Sequence, residues 1–237
     1  MIEVLYPEVC CLFGDKANAR YLGLCLGEDR LATTHVTQTP RFASEDPHMV
    51  YLCSMSERSQ ERVIERLRPH RERLRTMIDD GVVFLLTGNA FEVFAASIED
   101  DQGRTIEGLG LLDIQVKRHL PTRFNSLFLG QHAQTKIVGY TSRFTHSYGY
   151  DQTQGLFSVT QGLGMNPEVN YEGIQVNNLF ATYLLGPLLI QNPLFTRYLL
   201  GVIDRDAPLS ELPYEAELMQ AYETRVQEFE SGIDFVD

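Results

Sequence analysis

The first half of the chain carries short strand-like segments that are separated by segments with helical spacing. Four of the short segments predict strands, at residues 2–5, 31–36, 49–53 and 82–86. The runs at residues 49–53 and 82–86 are apolar throughout, which is typical of parallel strands that are buried on both faces of a sheet. Strands that alternate with helices predict an α/β domain with a mostly parallel sheet and helices on both of its faces.

Two helical segments lie between these strands. The first begins after Asp15, which we expect to cap its N-terminus. Apolar residues at helical spacing between residues 57 and 78 predict the second, with Pro69 as a kink or a restart. Ser54 and Glu57 have the spacing of a capping box, so we expect Ser54 to cap this second segment.

Beyond residue 103 the pattern changes to short strand-like runs between Gly, Asn and Pro turns. The predicted strands are residues 104–109, 135–140, 156–160, 174–176 and 179–184, and the closing helices are residues 195–202 and 214–229. Such spacing predicts an antiparallel C-terminal extension of the sheet. Because no flexible linker divides the two halves, we expect residues 1–237 to form a single domain.

The strand at residues 82–86 runs directly into Thr87, Gly88 and Asn89, and residues 90–96 predict a helix. A strand that passes through a tight glycine turn into a helix is the elbow on which α/β enzymes mount a nucleophile. Such a turn lies at the carboxyl edge of the sheet, where helix amides point at a bound group. Here the apex of the predicted elbow holds no nucleophile.

The composition of the chain argues against some classes of binding partner and indicates its cellular compartment. The chain of 237 residues carries a net charge of −12, which argues against nucleic acid or an anionic membrane as a partner. It has no apolar run near the roughly 20 residues that span a bilayer, and its start lacks the features of a signal peptide. Four cysteines without CxxC spacing indicate reduced thiols, so we expect a cytoplasmic protein.

Much of the negative charge is C-terminal. The acidic residues there are Asp204, Asp206, Glu211, Glu215, Glu217, Glu223, Glu228, Glu230, Asp234 and Asp237. Only Arg205 and Arg225 oppose them. Two interpretations stay open: a solvated acidic helix, or a docking face for a basic partner.

Four stretches, in order along nearly the whole chain, resemble a known family. They are Leu5-Tyr6-Pro7 with residues 13–18, residues 107–113, residues 164–166 leading to Glu172-Gly173, and residues 181–189 with Asn192-Pro193. Together they resemble the class I glutamine amidotransferases of the cobyric acid synthase type, which have a flavodoxin-like fold. The resemblance is strongest to the glutaminase subunit of lipid II isoglutaminyl synthase, which pairs with a Mur-ligase-like subunit.

The resemblance assigns family roles to particular positions. In that family a cysteine at the elbow attacks the glutamine amide, a late histidine takes the thiol proton, and a Gly-rich loop stabilises the oxyanion. Gly88 stands where the family has its cysteine, and Leu185 stands where it has its histidine. The Gly-Gly-Gly-Gln-Asp loop falls on residues 53–57, which have lost the glycines, and the family's Gly-Phe-Glu-Asn-His segment falls on residues 139–143.

Neither relic residue can perform the family's chemistry, because Gly88 has no side chain and Leu185 cannot accept a proton. We therefore expect no glutamine hydrolysis by the family's mechanism. No cofactor is expected, and the six histidines show no metal-ligand spacing, so no metal is expected either. The candidate pocket residues are Cys53, Ser54, Thr87, Asn89, Glu92, Arg143 and His146.

Three functions stay in competition. The first is a non-hydrolytic subunit that serves a Mur-ligase-like amide-forming synthetase, in cell-wall or cobyric-acid-type amidation. The second is an enzyme with a repurposed pocket that acts through Cys53, Glu92, Arg143 or His146. The third is a binding or regulatory module in which Glu92 and Arg143 recognise an amino-acid-like molecule. The alternative for Cys53 is a buried strand-end thiol, and we expect His146 to be a surface-loop residue.

Overall fold

A computed structural model describes residues 1–150, 152–204 and 211–232 of the chain. The strands of these residues are β1 (Ile2–Leu5), β2 (Leu31–Thr34), β3 (Met49–Leu52), β4 (Val83–Thr87), β5 (Ser97–Glu99), β6 (Thr105–Glu107), β7 (Gln115–Arg118), β8 (Phe124–His132), β9 (Thr135–Arg143), β10 (Thr145–Tyr148), β11 (Gly155–Gln161), β12 (Tyr171–Val176) and β13 (Leu179–Thr182). The helices are α1 (Lys16–Leu26), α2 (Glu57–Leu67), α3 (Arg71–Asp79), α4 (Leu188–Gln191), α5 (Pro193–Ile203) and α6 (Glu215–Glu230).

Nine strands form one sheet, in the order β2-β1-β3-β4-β13-β12-β11-β8-β9. The five strands from β2 to β13 are parallel, and the other four continue the sheet in antiparallel pairs. The connection from β1 to β2 and the connection from β3 to β4 run in opposite directions across the sheet. Since such crossovers are right-handed, α1 lies on one face and α2 with α3 lies on the other. The predicted α/β fold with an antiparallel extension is confirmed.

The helical segment after β3 is interrupted as Pro69 predicts, because a 3₁₀ turn over Arg68–His70 separates α2 from α3. The capping prediction for this segment was wrong. Ser56, not Ser54, caps α2, and its hydroxyl accepts the backbone N–H of Ser59. Ser54 lies earlier, two residues after the end of β3, where its N–H donates to Asp15 at 2.9 Å.

The predicted helix at residues 90–96 was also wrong. Residues Gly88–Phe94 form a 3₁₀ segment, and Ala95 is already extended. The chain then enters β5, which belongs to a second, four-stranded sheet in the order β10-β7-β5-β6. Because the segment must deliver the chain to this sheet after two turns, it does not continue as an α-helix.

Candidate functional site

The register of the central strands brings three loops together at one edge of the sheet. Leu52 at the end of β3 lies opposite Leu86 of β4, and Thr182 at the end of β13 lies opposite Thr87. Because all three strands are parallel, the residues that follow them leave from the same carboxyl edge. Ser54, Gly88 and Leu185 therefore meet beside the elbow.

Gly88 follows the last residue of β4 and has a positive φ of 60°. A β-carbon placed on Gly88 would lie 3.0 Å from Leu185 Cδ2 and 2.6 Å from Ser54 Cβ. The position that the resemblance gives to the nucleophile thus contacts the position that it gives to the base. Leu185 is 3% exposed and packs into the space where a proton acceptor would stand.

A buried hydrogen-bond network under the elbow fixes these loops. The carboxylate of Asp15 accepts the N–H of Ser54 and the hydroxyl of Thr87, each at 2.9 Å. Gly186 packs so closely on Asp15 that a β-carbon there would lie 2.7 Å from the Asp15 backbone nitrogen. Asp15 precedes α1 as predicted, but its side chain makes no capping bond to the helix. Burial raises the pKa of Asp15, although these donors oppose the shift.

Asn89 fixes the loop that faces the elbow. Its side-chain oxygen accepts the N–H of Met55 at 2.9 Å, and its amide donates to the Met55 carbonyl at 2.8 Å. Gln60 of α2 donates to the Asn89 backbone carbonyl at 2.8 Å. The loop that corresponds to the family's oxyanion loop is therefore ordered, but it carries side chains where the family has glycines.

A cavity of about 210 Å³ opens beside Gly88. Its lining residues are Leu12, Phe13, Ser54, Met55, Ser56, Glu57, Gly88, Asn89, Arg123, Ser142, Arg143, Phe144, Thr145, Tyr183 and Leu185. Five of the residues named from the sequence are in this set: Ser54, Gly88, Asn89, Arg143 and Leu185. The cavity adjoins the two positions, Gly88 and Leu185, to which the resemblance gives the nucleophile and the base.

Arg143 is the buried cation of this cavity. Its guanidinium lies 3.9 Å over the ring of Tyr183, and its Nη2 donates to the carbonyl of Gly164. Its Nε and Nη1 have no hydrogen-bond partner among the described residues. Burial lowers the pKa of Arg143 from its usual value, and the nearby Tyr183, Glu172 and Glu92 oppose that shift. An arginine keeps its charge even so, because its ordinary pKa is above about 12.

Glu92 lies behind the cavity and is not among its lining residues. Its carboxylate accepts from Thr145 at 2.6 Å, from Gln60 at 2.8 Å and from the Tyr183 hydroxyl at 3.0 Å. Burial raises its pKa, and these donors oppose the shift. Because its oxygens are already bonded within the fold, these contacts weigh against the prediction that Glu92 recognises a ligand in the pocket.

Glu172 is a second buried carboxylate in this region. It accepts the hydroxyl of Thr182 and the N–H of Tyr183, both at 2.6 Å. Burial raises its pKa to about 7. Its oxygens are thus occupied by donors other than Arg143, which leaves the guanidinium without a direct carboxylate partner.

Three more candidates lie outside the cavity lining. Cys53 is fully buried, and burial together with Asp15 raises the pKa of its thiol. The hydroxyl of Thr87 donates to the Asp15 carboxylate in the network described above. His146 is not a surface-loop residue: it belongs to β10, is 7% exposed and stacks on Phe124 with ring centroids 4.3 Å apart. Burial, with Arg143 and His119, lowers the pKa of His146 to about 4, so the ring is neutral at pH 7.

Arg123 is a cavity residue that sequence reasoning missed. It lies over the ring of Phe144 at 4.2 Å and donates to the Ser142 hydroxyl at 3.0 Å. Its position before β8 carries no sequence signal, because the predicted strands did not include β8. Tyr183 was also missed, although its place beside the relic base position offered a signal.

Comparisons with known proteins identify the family. Residues 2–193 match the CobB/CobQ-like glutamine amidotransferase domain. This chain belongs to the CobB/CobQ-like glutamine amidotransferase family. Two curated relatives are lipid II isoglutaminyl synthase (glutamine-hydrolyzing) subunits GatD. The one from Staphylococcus aureus is 26% identical over 72% of this chain and 70% of its own length. The one from Streptococcus pneumoniae is 24% identical over 81% and 75%.

Solved structures share the fold. The structure of PurLQS from Thermotoga maritima has a TM-score of 0.51 at 12% identity, covering 95% of this chain and 98% of that chain. A crystal structure of a glutamine amidotransferase has a TM-score of 0.54 at 14% identity, covering 85% and 98%. The amidotransferase-like resemblance stated from the sequence is confirmed.

Residues 1–150, 152–204 and 211–232 contain no group of three His, Cys, Asp or Glu side chains that could hold a metal ion. Within the same ranges, none of the helices has the length and apolar character needed to cross a bilayer.

Proposed function

We propose that this chain is a glutamine amidotransferase-like subunit that does not hydrolyse glutamine. The observation that carries the proposal is the contact between Gly88 and Leu185 at the elbow. In the family's mechanism these two positions supply the nucleophile and the base. Loss of either member of such a unit typically removes orders of magnitude of rate.

The thiol and the loop residues named from the sequence do not supply an activated nucleophile at the cavity. Cys53 lies beneath it with a buried thiol whose pKa is raised, and the thiolate is the form that attacks. The Ser54 hydroxyl donates to the Leu12 carbonyl, and the Asn89 side chain is bonded to the Met55 backbone. These contacts weigh against an enzyme with a repurposed pocket.

The scaffold itself is intact, which supports a retained role. Asp15, Thr87 and Gly186 still hold the elbow against the loop after β13, and Asp15 and Thr87 are buried. A fold that is maintained without its chemistry serves binding. We infer a partner of the Mur-ligase-like, amide-forming synthetase class, supplied with free ammonia.

The names of the relatives support this choice of partner. Both GatD proteins are named as subunits of lipid II isoglutaminyl synthase, whereas the family description points to cobyric-acid-type proteins. We favour cell-wall amidation in the cytoplasm as the setting. The net charge of −12 also favours a protein partner over nucleic acid or an anionic membrane.

The acidic C-terminal region contributes only part of its charge to a docking face. Asp204 pairs with Arg30 at 2.8 Å, and Glu215 pairs with Arg197 at 2.5 Å. Glu217, Glu223 and Glu228 are exposed on α6. Asp206, Asp234 and Asp237 lie outside the described residues. The exposed glutamates of α6 are the acidic surface that we assign to a basic partner.

Arg143 favours a second candidate role, as a binding module for a small anionic molecule. Arg143 lines the cavity, and its guanidinium has no direct carboxylate partner among the described residues. This role is compatible with the first, because a ligand at the elbow can accompany a partner subunit. Ammonia release from glutamine and recovery of a synthetase from the native cell test the main proposal.

A further inference from the structure

Arg143 is a buried cation without a directly bonded carboxylate among the described residues. The residue is 5% exposed, and its Nε and Nη1 have no hydrogen-bond partner among the described residues. A buried donor without a partner typically costs about 1 to 3 kcal/mol, and more when the group is charged. Both atoms are closed off from solvent, so a negatively charged group in the cavity would stabilise this charge through space.

The carboxylates nearest to Arg143 do not fill this role. Glu92 is held by Thr145, Gln60 and the Tyr183 hydroxyl. Glu172 is held by Thr182 and the Tyr183 backbone. Both influence Arg143 through space, but neither forms an ion pair with it within hydrogen-bond distance.

Two further features make the same cavity favourable to anions. Arg123 lines it and keeps one hydrogen bond, to Ser142, while its guanidinium lies on Phe144. The N-terminus of α2, at Ser56 and Glu57, also lines it, and helix N-termini attract negative charge. Glu57 is the acidic residue of the lining, against the two arginines.

The size of the cavity limits the ligand. At about 210 Å³ it is smaller than the roughly 300 to 1,000 Å³ of sites for drug-sized ligands. Gly88 adds no side chain to the wall, and Leu185 adds an apolar one. By the resemblance, the family has a histidine at the position of Arg143, so this site has gained a permanent positive charge.

We propose that this cavity binds a small dicarboxylate, with one carboxylate near Arg123 and the α2 N-terminus and the other against Arg143. The added arginine selects an acid where the family takes an amide. This inference rests on the proposed function, because it assumes that the elbow no longer processes glutamine. It deepens that function by naming the ligand class of the relic site.

Isothermal titration of the full chain with glutarate tests the proposal. Pentanoate is the matched ligand, since it has the same carbon number and only one carboxylate. We expect glutarate to bind at least about tenfold more tightly than pentanoate or L-glutamine, because one charge-assisted contact is worth about that factor. Equal binding of glutarate and pentanoate, or binding of inorganic phosphate without glutarate, would overturn the proposal.

Variants assign the binding to the two arginines. Arg123→Gln changes an exposed residue, and Arg143→Gln changes a buried one, so each is first checked for cooperative unfolding. Each is expected to weaken glutarate binding by about tenfold or more, while Arg62→Gln on the exposed face of α2 leaves it unchanged. Unchanged affinity in Arg123→Gln would overturn the assignment even if Arg143→Gln fails to fold.

The outcome is separable from the proposed function. Ammonia release is measured on the same preparation with glutamine as the substrate. Absence of glutarate binding without ammonia release overturns only the ligand assignment. Ammonia release by the unmodified chain overturns the non-hydrolytic function itself.

Discussion

Gly88 and Ser54 face each other so closely that only one of them has room for a β-carbon. A β-carbon on Gly88 would lie 2.6 Å from Ser54 Cβ, which is inside the contact distance of two carbon atoms. By the resemblance, the family has a cysteine at the first position and a glycine at the second. Relative to the family, the elbow position has therefore lost its side chain, and the facing position in the loop has gained one.

This relationship predicts that the nucleophile cannot simply be restored. We expect Gly88→Cys to lower the free energy of unfolding by about 1 to 3 kcal/mol, because of overpacking and the positive φ. In a Ser54→Gly background, Gly88→Cys should lower the free energy of unfolding by clearly less. Urea unfolding of the four proteins gives the coupling between the two sites.

Ser54→Ala is the matched control for this cycle. It removes the hydroxyl that donates to the Leu12 carbonyl, as Ser54→Gly does, but it keeps the β-carbon. In the Ser54→Ala background, Gly88→Cys should therefore lower the free energy of unfolding as much as it does in the wild type. If Ser54→Ala and Ser54→Gly reduced this loss equally, the β-carbon contact would not be its cause.

We expect the hydrogen-bond network under the elbow, which includes Thr87, to contribute measurably to the free energy of unfolding. Its hydroxyl donates to Asp15 at 2.9 Å in a fully buried place. Thr87→Val keeps the shape but removes the donor, so we expect a loss of about 1 to 3 kcal/mol in urea unfolding. Thr87→Ser keeps the hydroxyl and should lose less than Thr87→Val; the opposite order would contradict the role of the bond.

The raised pKa of Glu172 predicts that the free energy of unfolding depends on pH. Its pKa is raised from 4.5 to about 7 by burial, so the folded chain holds this proton at pH values where the unfolded chain has lost it. Stability from this group is therefore full below about pH 4.5 and falls by about 3 kcal/mol as the pH rises to about 7.

The measurement for Glu172 is urea unfolding between pH 4.5 and pH 8. We expect Glu172→Gln to be less stable relative to the wild type at low pH and to gain on it as the pH rises. Glu217→Gln, on the exposed face of α6, is the control that should track the wild type. A constant difference between Glu172→Gln and the wild type would contradict the prediction.

Much of the parallel half could be predicted from the sequence. The strands β3 and β4 lie in apolar runs bounded by turn residues, and burial on both faces leaves such a pattern. β1 is apolar except for Glu3, which is itself buried. β10 was missed because Thr145–Tyr148 is polar although it is largely buried. Its side chains are satisfied by Glu92 and Tyr183, which are partners that only the tertiary fold brings near.

The relic positions Gly88 and Leu185 were accessible through motif order, but the other side chains of the site were not. Glu92 falls next to the elbow in sequence, yet the 3₁₀ segment turns it away from the cavity and into the core. Arg123 reaches the cavity through the pairing of β8 with β9, at Phe124 and Arg143. That register depends on the whole antiparallel extension and leaves no local pattern.

The proposed partner gives a prediction for the native cell. Affinity recovery of the tagged chain at moderate ionic strength should bring down a Mur-ligase-like synthetase. Higher salt should weaken the recovery if Glu217, Glu223 and Glu228 contribute to the interface. A charge-removed variant of these three exposed glutamates is the comparison. Recovery of the free chain alone at every salt concentration would contradict a stable complex.

The most direct measurement is ammonia release from glutamine by the purified chain, alone and in the complex recovered from the native cell. A hydrolysing glutamine amidotransferase in the same buffer sets the sensitivity of the assay. A glutamine-analogue electrophile, followed by peptide mapping, reports whether any cysteine reacts. With Gly88 and Leu185 at the elbow, we expect no release above the blank and no label on Cys53. Steady turnover, or covalent modification of Cys53, would contradict the loss of glutamine hydrolysis.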